Sequence, residues 1–289
     1  MMRLLLLSLF FFLLHTVSAA PLSPNETDHR SCGNEVSEED ARSIEEQFRI
    51  DLGSAGRNET DFDLERAAPI TVVWHVVYAA ATSSGGYLSN AAISSSISAM
   101  NAHYAGSGFT FTLSRVTRTR NSNWFYYADQ DTAAEASMKR SLRVGGRNVL
   151  NVYSVGVGGG FLGYSAFPWR YSNAPYNDGV VMLYSSVPGG TKTNYNQGKT
   201  LTHEVGHWLG LYHVFQGNSC SGSGDYVSDT PPQLTSTGGC PSYKDTCTGG
   251  GPDSIHNYMD YSYDQCMYQF TSGQYGRARV MASFYRGIS

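Results

Sequence analysis

The stretch Thr202-His203-Glu204-Val205-Gly206-His207-Trp208-Leu209-Gly210-Leu211-Tyr212-His213 holds three histidines and one carboxylate at spacings that suit metal chemistry. On an α-helix, residues four apart lie about 40° apart around the axis, so His203 and His207 aim two imidazoles at one point. Glu204 sits one position round, where its carboxylate reaches a water beside the metal without binding the metal itself. Gly210 can take the left-handed conformation that ends a helix, and a sharp turn there swings His213 back as a third ligand. Three neutral imidazoles leave a tetrahedral zinc with one open position, which a catalytic site needs and a structural site lacks. A bare His-Glu-x-x-His arises by chance far more readily than the same motif extended by a glycine and a third histidine.

Such a helix needs a scaffold. Ile70 to Tyr78 is a β-branched and aromatic run of the kind found in a buried strand, and Phe109–Val116, Asn148–Val155 and Val180–Val187 read as three more. Ser89 caps a helix to about Tyr104, Ala133–Arg143 reads as another, and a last helix spans Ser272–Tyr285. Strands interleaved with helices predict an α/β or α+β sheet with helices packed on it. His75 and His103 lie on a strand and a helix without a partner pattern and read as structural, as do Trp208 and Leu209.

Within 289 residues, 41% hydrophobic and 15% charged, a packed core is affordable and wholesale disorder is excluded. Arg3, the apolar run Leu4 to Leu14 and the small residues Val17 to Ala20 read as a signal peptide, 1–19, since Pro21 blocks a cut after Ala20. Export and an extracellular destination follow, with a compartment in which disulfides persist. Residues 21–66 carry 13 Asp and Glu against 5 Lys and Arg, an acidic leader ahead of a mildly basic body. That leader, 20–65, is either a disordered tail or a removable pro-segment; its one helical candidate is Ser37 to Asp51, and its sequons are Asn25-Glu26-Thr27 and Asn58-Glu59-Thr60. Clustered basic stretches are missing, which argues against nucleic acid, and no later apolar run is long enough to cross a membrane.

Taken together, the zinc motif, Phe215-Gln216-Gly217, Ser228-Asp229-Thr230-Pro231 and the later Asn257-Tyr258-Met259-Asp260-Tyr261 resemble the pappalysin branch of the metzincin peptidases over about residues 67–289. The resemblance implies an α+β zincin: a twisted mixed sheet and zinc helix above the cleft (about 67–210) and an irregular, disulfide-linked lower subdomain (about 211–289). It implies a monomeric zinc endopeptidase acting on proteins or peptides. Met259 becomes a Met-turn floor beneath the metal, Tyr261 a stabiliser of the transition state, and Leu162 to Phe167 the upper edge strand that pairs with substrate. It further suggests calcium at Asp225 and Asp229, whose spacing alone proves nothing and whose alternative is a solvated loop. Asp264 would line the pocket for the residue after the cleaved bond and favour basic side chains, or it is a solvated turn residue. A basic preference would permit self-processing at Glu65-Arg66.

Five cysteines leave one over. Cys220, Cys240, Cys247 and Cys266 allow three connectivities that spacing cannot separate, and the family pattern implies Cys220 with Cys247 and Cys240 with Cys266. Cys32 remains in the acidic leader, where its thiolate could take the fourth zinc position, as in the cysteine switch of latent metzincins; otherwise it is a thiol that dimerises or is lost with the leader. The rival to an enzyme is a secreted binding module that keeps zinc as scaffold. Glu204 argues against it, because a scaffold has no use for a base beside an open metal position.

Overall fold

A computed structural model describes residues 30–58, 69–156 and 160–289. The expected signal peptide, the Asn25 sequon, the end of the Asn58 sequon and the Glu65-Arg66 junction lie outside the described residues. Five strands form one sheet: β1 (Ile70–Tyr78), β2 (Phe111–Arg120), β3 (Val149–Val155), β4 (Gly163–Ser165) and β5 (Val180–Leu183), in the order β2-β1-β3-β5-β4. All neighbours run parallel except β4, which pairs antiparallel with β5 and forms an edge.

Strand β1 is buried at nearly every position from Ile70 to Val77, Thr71 excepted, because both of its faces are covered. Val72, Trp74 and Val76 pack on Ile93, Ile97 and Met100 of α2 (Asn90–His103) and on Leu201 and Val205 of α5 (Lys199–Trp208). Val77, with Tyr153 and Val155 of β3, packs on Phe125 of α3 (Ser122–Tyr127) and Met138 of α4 (Ala133–Leu142). Ser89 caps α2 through a hydrogen bond from the Ala92 N–H, 3.1 Å.

Several boundaries differ from the sequence reading. Strand β2 runs on to Arg120, because an edge ladder is held by backbone bonds and tolerates the exposed polar side chains that end the apolar alternation. Strand β5 stops at Leu183, where the chain turns through a short 3-10 helix, Tyr184–Ser186. Helix α3 has no counterpart in that reading; its six residues include Trp124 to Tyr127, an aromatic run that favours strand by propensity, and the Asn121 cap decides otherwise. The last helix, α6 (Ser272–Met281), gives way to one π-helical turn, Ala282–Arg286.

Beyond Gly210 the chain has little regular structure before α6 and is stapled by Cys220–Cys247 and Cys240–Cys266, the pairing the resemblance implied. The leader's α1 (Glu38–Ser54) lays one stripe, Ala41, Glu45, Phe48 and Leu52, on the body. Phe48 and Leu52 meet Val280 and Met281 of α6, with Phe284 and Tyr285 beside them.

Candidate active site

Helix α5 is buried from Thr200 to Trp208, so its histidines leave water altogether. Gly210, at φ 100°, ends it, and the Leu211 N–H closes back on the Gly206 carbonyl at 2.9 Å. A Cβ on Gly210 would lie 2.7 Å from Met281 Cβ, so glycine is required both for the conformation and for the approach of α6. The chain then doubles back, and the Nε2 atoms of His203, His207 and His213 stand 3.1–3.2 Å apart.

The tautomers follow from the second nitrogens. Nδ1 of His203 donates to the Tyr258 carbonyl and Nδ1 of His207 to the Leu211 carbonyl, both at 2.7 Å. A carbonyl can only accept, so each Nε2 presents a lone pair to the shared centre. Burial keeps these rings neutral: His207 is pushed down to about 4, and His203 and His213 well below their ordinary value, with His207 nearby adding to the effect. Converging lone pairs repel unless a cation sits among them. Nitrogens about 2.0–2.1 Å from a tetrahedral zinc stand about 3.3 Å apart, so the donor set fits that ion.

Cys32 Sγ completes the group: it and the three histidine nitrogens lie within 4.8 Å of one another, and these are the only such cluster of metal-binding side chains among the described residues. Its thiol donates to Glu204 Oε2 at 3.5 Å, and the Cys32 N–H donates to the Tyr261 hydroxyl at 3.3 Å. Burial pushes the Cys32 thiol well up and the Glu204 carboxyl up to about 8. A cation among the imidazoles reverses that logic for the thiol, favouring thiolate. Met259 is fully buried against α5; a Cβ on Gly206 would run into its sulfur, so glycine there makes room for the Met-turn. The Met259 N–H donates to Asn257 Oδ1, and reciprocal amide bonds join Asn257 to Gln274 of α6.

The leader crosses this cluster along β4. The Leu162 N–H donates to the Ser31 carbonyl at 2.9 Å and the Gly33 N–H to the Gly163 carbonyl at 3.1 Å, a parallel bridge. The Asn34 side-chain amide then stands in for a backbone peptide, donating to the Ser165 carbonyl and accepting from its N–H, both at 2.7 Å. Asp264 is fully buried, and Arg30, two residues before Cys32, pairs with its Oδ1 at 2.5 Å while the Gln197 N–H donates to Oδ2. Arg30, Asn34, Glu45 and Arg277 all escaped the sequence reading. The usable signals were the opposite charges of Arg30 and Asp264 and the carboxylate of Glu45 within an otherwise apolar stripe.

The two remaining aspartates have separate tasks. Asp229 accepts from Thr271 Oγ1 and the Gly273 N–H at the start of α6. Asp225 accepts from the Val227 N–H and Thr230 Oγ1 through Oδ1, and its Oδ2 is buried without a hydrogen-bond partner. His75 bonds Thr117 and Asn151, and His103 bonds Thr202 and lies against Tyr258.

Residues 147–282 match the pregnancy-associated plasma protein-A peptidase family. An extracellular metalloprotease of Uncinocarpus reesii is 47% identical over 274 residues, covering 93% of either chain. The chain belongs to this family. Extracellular metalloprotease 1 of Coccidioides posadasii is 45% identical over 267 residues, 91% of this chain and 92% of its own. Among solved structures, mature mirolysin of Tannerella forsythia with a cleaved peptide shares 33% identity at TM-score 0.65, covering 75% of this chain and 91% of that one. A promirolysin mutant shares 31% at TM-score 0.71, covering 89% and 95%. This pappalysin is thus an extracellular zinc endopeptidase of metzincin-type α+β fold. No helix among its described residues is long and apolar enough to cross a membrane.

Proposed function

We propose that His203, His207 and His213 hold the zinc, that Glu204 is the general base, and that the leader keeps the enzyme latent by seating Cys32 thiolate in the fourth position. The observation that carries this reading is the convergence of three lone pairs on one centre, with a thiol and a carboxylate beside it. Held by His203, His207 and His213, a zinc ion would acidify the attacking water and polarise the scissile carbonyl. Glu204 takes the proton from the water as it attacks and delivers it to the leaving amine. Tyr261, engaged by the Cys32 N–H in the latent form, is released with the leader to donate to the developing oxyanion. The backbone groups of Leu162, Gly163 and Ser165 that the leader occupies are those an extended substrate would use.

Asp264 supports a preference for a basic residue just after the cleaved bond, since Arg30 already fills its pocket. With that residue at Asp264, the residues before the bond lie toward Ser165 and Phe167, so the leader runs opposite to a substrate and offers no peptide bond to cleave. The reading further takes residues 20–65 as the pro-segment, about 67–210 and 211–289 as the subdomains flanking the cleft, and the enzyme as a monomer without nucleic-acid or membrane partners. Of the calcium candidates, only Asp225 keeps an oxygen free.

Two measurements test it. Glu204→Ala should keep its zinc by elemental analysis yet lose about 10²–10⁴ of its chelator-sensitive casein hydrolysis. Equal zinc with hydrolysis in neither protein would restore the binding-module reading. Full-length Cys32→Ala should leak activity, and a fully latent variant would assign latency to Arg30, Asn34 and α1 instead.

A further inference from the structure

The docking site of α1 contains a feature that blocking the cleft does not require. Arg277 sits on α6 beneath the leader, and its guanidinium is held by the body itself: Nε donates to the Gly210 carbonyl at 3.0 Å, and the group lies 4.9 Å over the Tyr212 ring. This leaves its two Nη groups pointing at α1, where they grip Glu45 at 3.1 and 2.5 Å as a fork on a carboxylate. The pair is almost completely buried, with both side chains under 10% exposed. Around it lie the apolar surfaces that take Phe48 and Leu52, and Phe167, at the end of the cleft, packs with Ala41 and Tyr212. The Gly210 bond and the Tyr212 contact both belong to the body, so they still hold the guanidinium when α1 and Glu45 depart. The uncovered surface is then a preorganised cation in an apolar groove, continuous with the cleft on the side of the residues before the cleaved bond.

We propose that, once the leader is removed, this surface is a substrate exosite that binds an acidic, apolar helical segment lying ahead of the scissile bond. The proposal rests on the latency reading above. Recognition copies what α1 displays: one Glu on Arg277 and bulky apolar residues three and seven positions later on the same helical face. A neutral or basic segment would bury the two Nη groups without a hydrogen-bonded carboxylate and be rejected. Asp225 also acts on Arg277 through its charge, but its Oδ1 accepts from Val227 and Thr230 and its unpartnered Oδ2 makes no hydrogen bond to the guanidinium, so Glu45 is the carboxylate that fills the fork.

The test uses processed enzyme and a labelled peptide with the sequence of residues 37–55, which lacks Cys32. Fluorescence anisotropy should show saturable binding that weakens about tenfold or more with Glu45→Gln in the peptide or Arg277→Met in the enzyme. In kinetics, a short peptide cleaved before an Arg is compared with the same peptide carrying that helix at its N-terminus through a linker of about 15 Gly and Ser residues. The ratio of kcat/KM, long to short, should be about ten or more, should arise in KM, and should fall to about one with Arg277→Met or with Glu45→Gln in the extension. The peptide-side change keeps the test valid if Arg277→Met fails to fold. A ratio of one in wild type, a ratio that survives Glu45→Gln, or a 37–55 peptide that blocks both substrates equally would overturn the exosite. Failure to cleave the short peptide would sink the catalytic reading instead, and anisotropy alone would then decide whether Arg277 binds the acidic helix.

Discussion

Helix α5 reaches the site from a half of the molecule held by sheet ladders and apolar packing, where Trp74, Val76, Val152 and Leu201 are fully buried. His213, Met259, Tyr261 and Asp264 reach it from a half with almost no ladder. There, buried carboxylates do what strand partners do elsewhere: Asp260 accepts the N–H groups of Thr237 and Tyr261, and Asp253 that of Thr246. Buried backbone donors must be satisfied somewhere, and a glycine-rich chain without strands satisfies them with side chains and closes its loops covalently. The first half places His203, Glu204 and His207 with the precision of one helix; the second brings His213 and Asp264 to them on loops closed by two disulfides.

The contrast can be broken most strongly where the halves are tied. Arg286 stands 3.6 Å over the Trp208 ring and bonds the Trp208 and Ala166 carbonyls and Asp178, all in the interior. Arg286→Met leaves Asp178 without its main counter-charge and should cost about 3–5 kcal/mol in urea unfolding, loosening the far end of α5. A loss under about 1 kcal/mol would show that apolar packing alone braces that helix.

Next in size, replacing Cys240 and Cys266 by serine opens a bridge spanning 26 residues and should cost about 2–4 kcal/mol. Hydrogen exchange should then rise across 211–270 while β1 and β3 stay protected. Equal loss of protection in both halves would make them one cooperative unit and dissolve the comparison.

The smallest effect sharpens the interface between them. Burial, aided by the charge of Lys199, pushes His103 down to about 4, so as pH falls the unfolded chain binds this proton first. The contribution of His103 to stability is therefore full above about pH 6.5 and declines from there to pH 4. His103→Gln should flatten that acid limb by about one proton, measured from unfolding free energy against pH; an unchanged slope would mean that other groups carry it.

Legibility in the sequence followed distance along the chain. The His203–His207 pair, the Gly210 turn, the buried run Ile70 to Tyr78 and the Ser89 cap could all be read directly, because each depends on helix or strand geometry within a few residues. The ends of β5 and α6 could not, since a turn into 3-10 or π-helix is settled by what the next segment packs against. Asp264 could be suspected as a pocket acid from resemblance; that Arg30 would be its partner could not.

By itself the sequence determined the histidine helix with Glu204 beside its ligand pair, the acidic leader and the odd cysteine, because composition and short-range spacing carry them. Only the tertiary structure decided that Arg30 meets Asp264 across 234 residues, that Glu45 meets Arg277 across 232, and that Asn34 imitates a peptide group at Ser165. Those meetings depend on the paths of the intervening loops and on burial that strips water from both partners. A charged residue looks the same in sequence whether it ends in solvent or in a pocket, and the fold alone chooses between them.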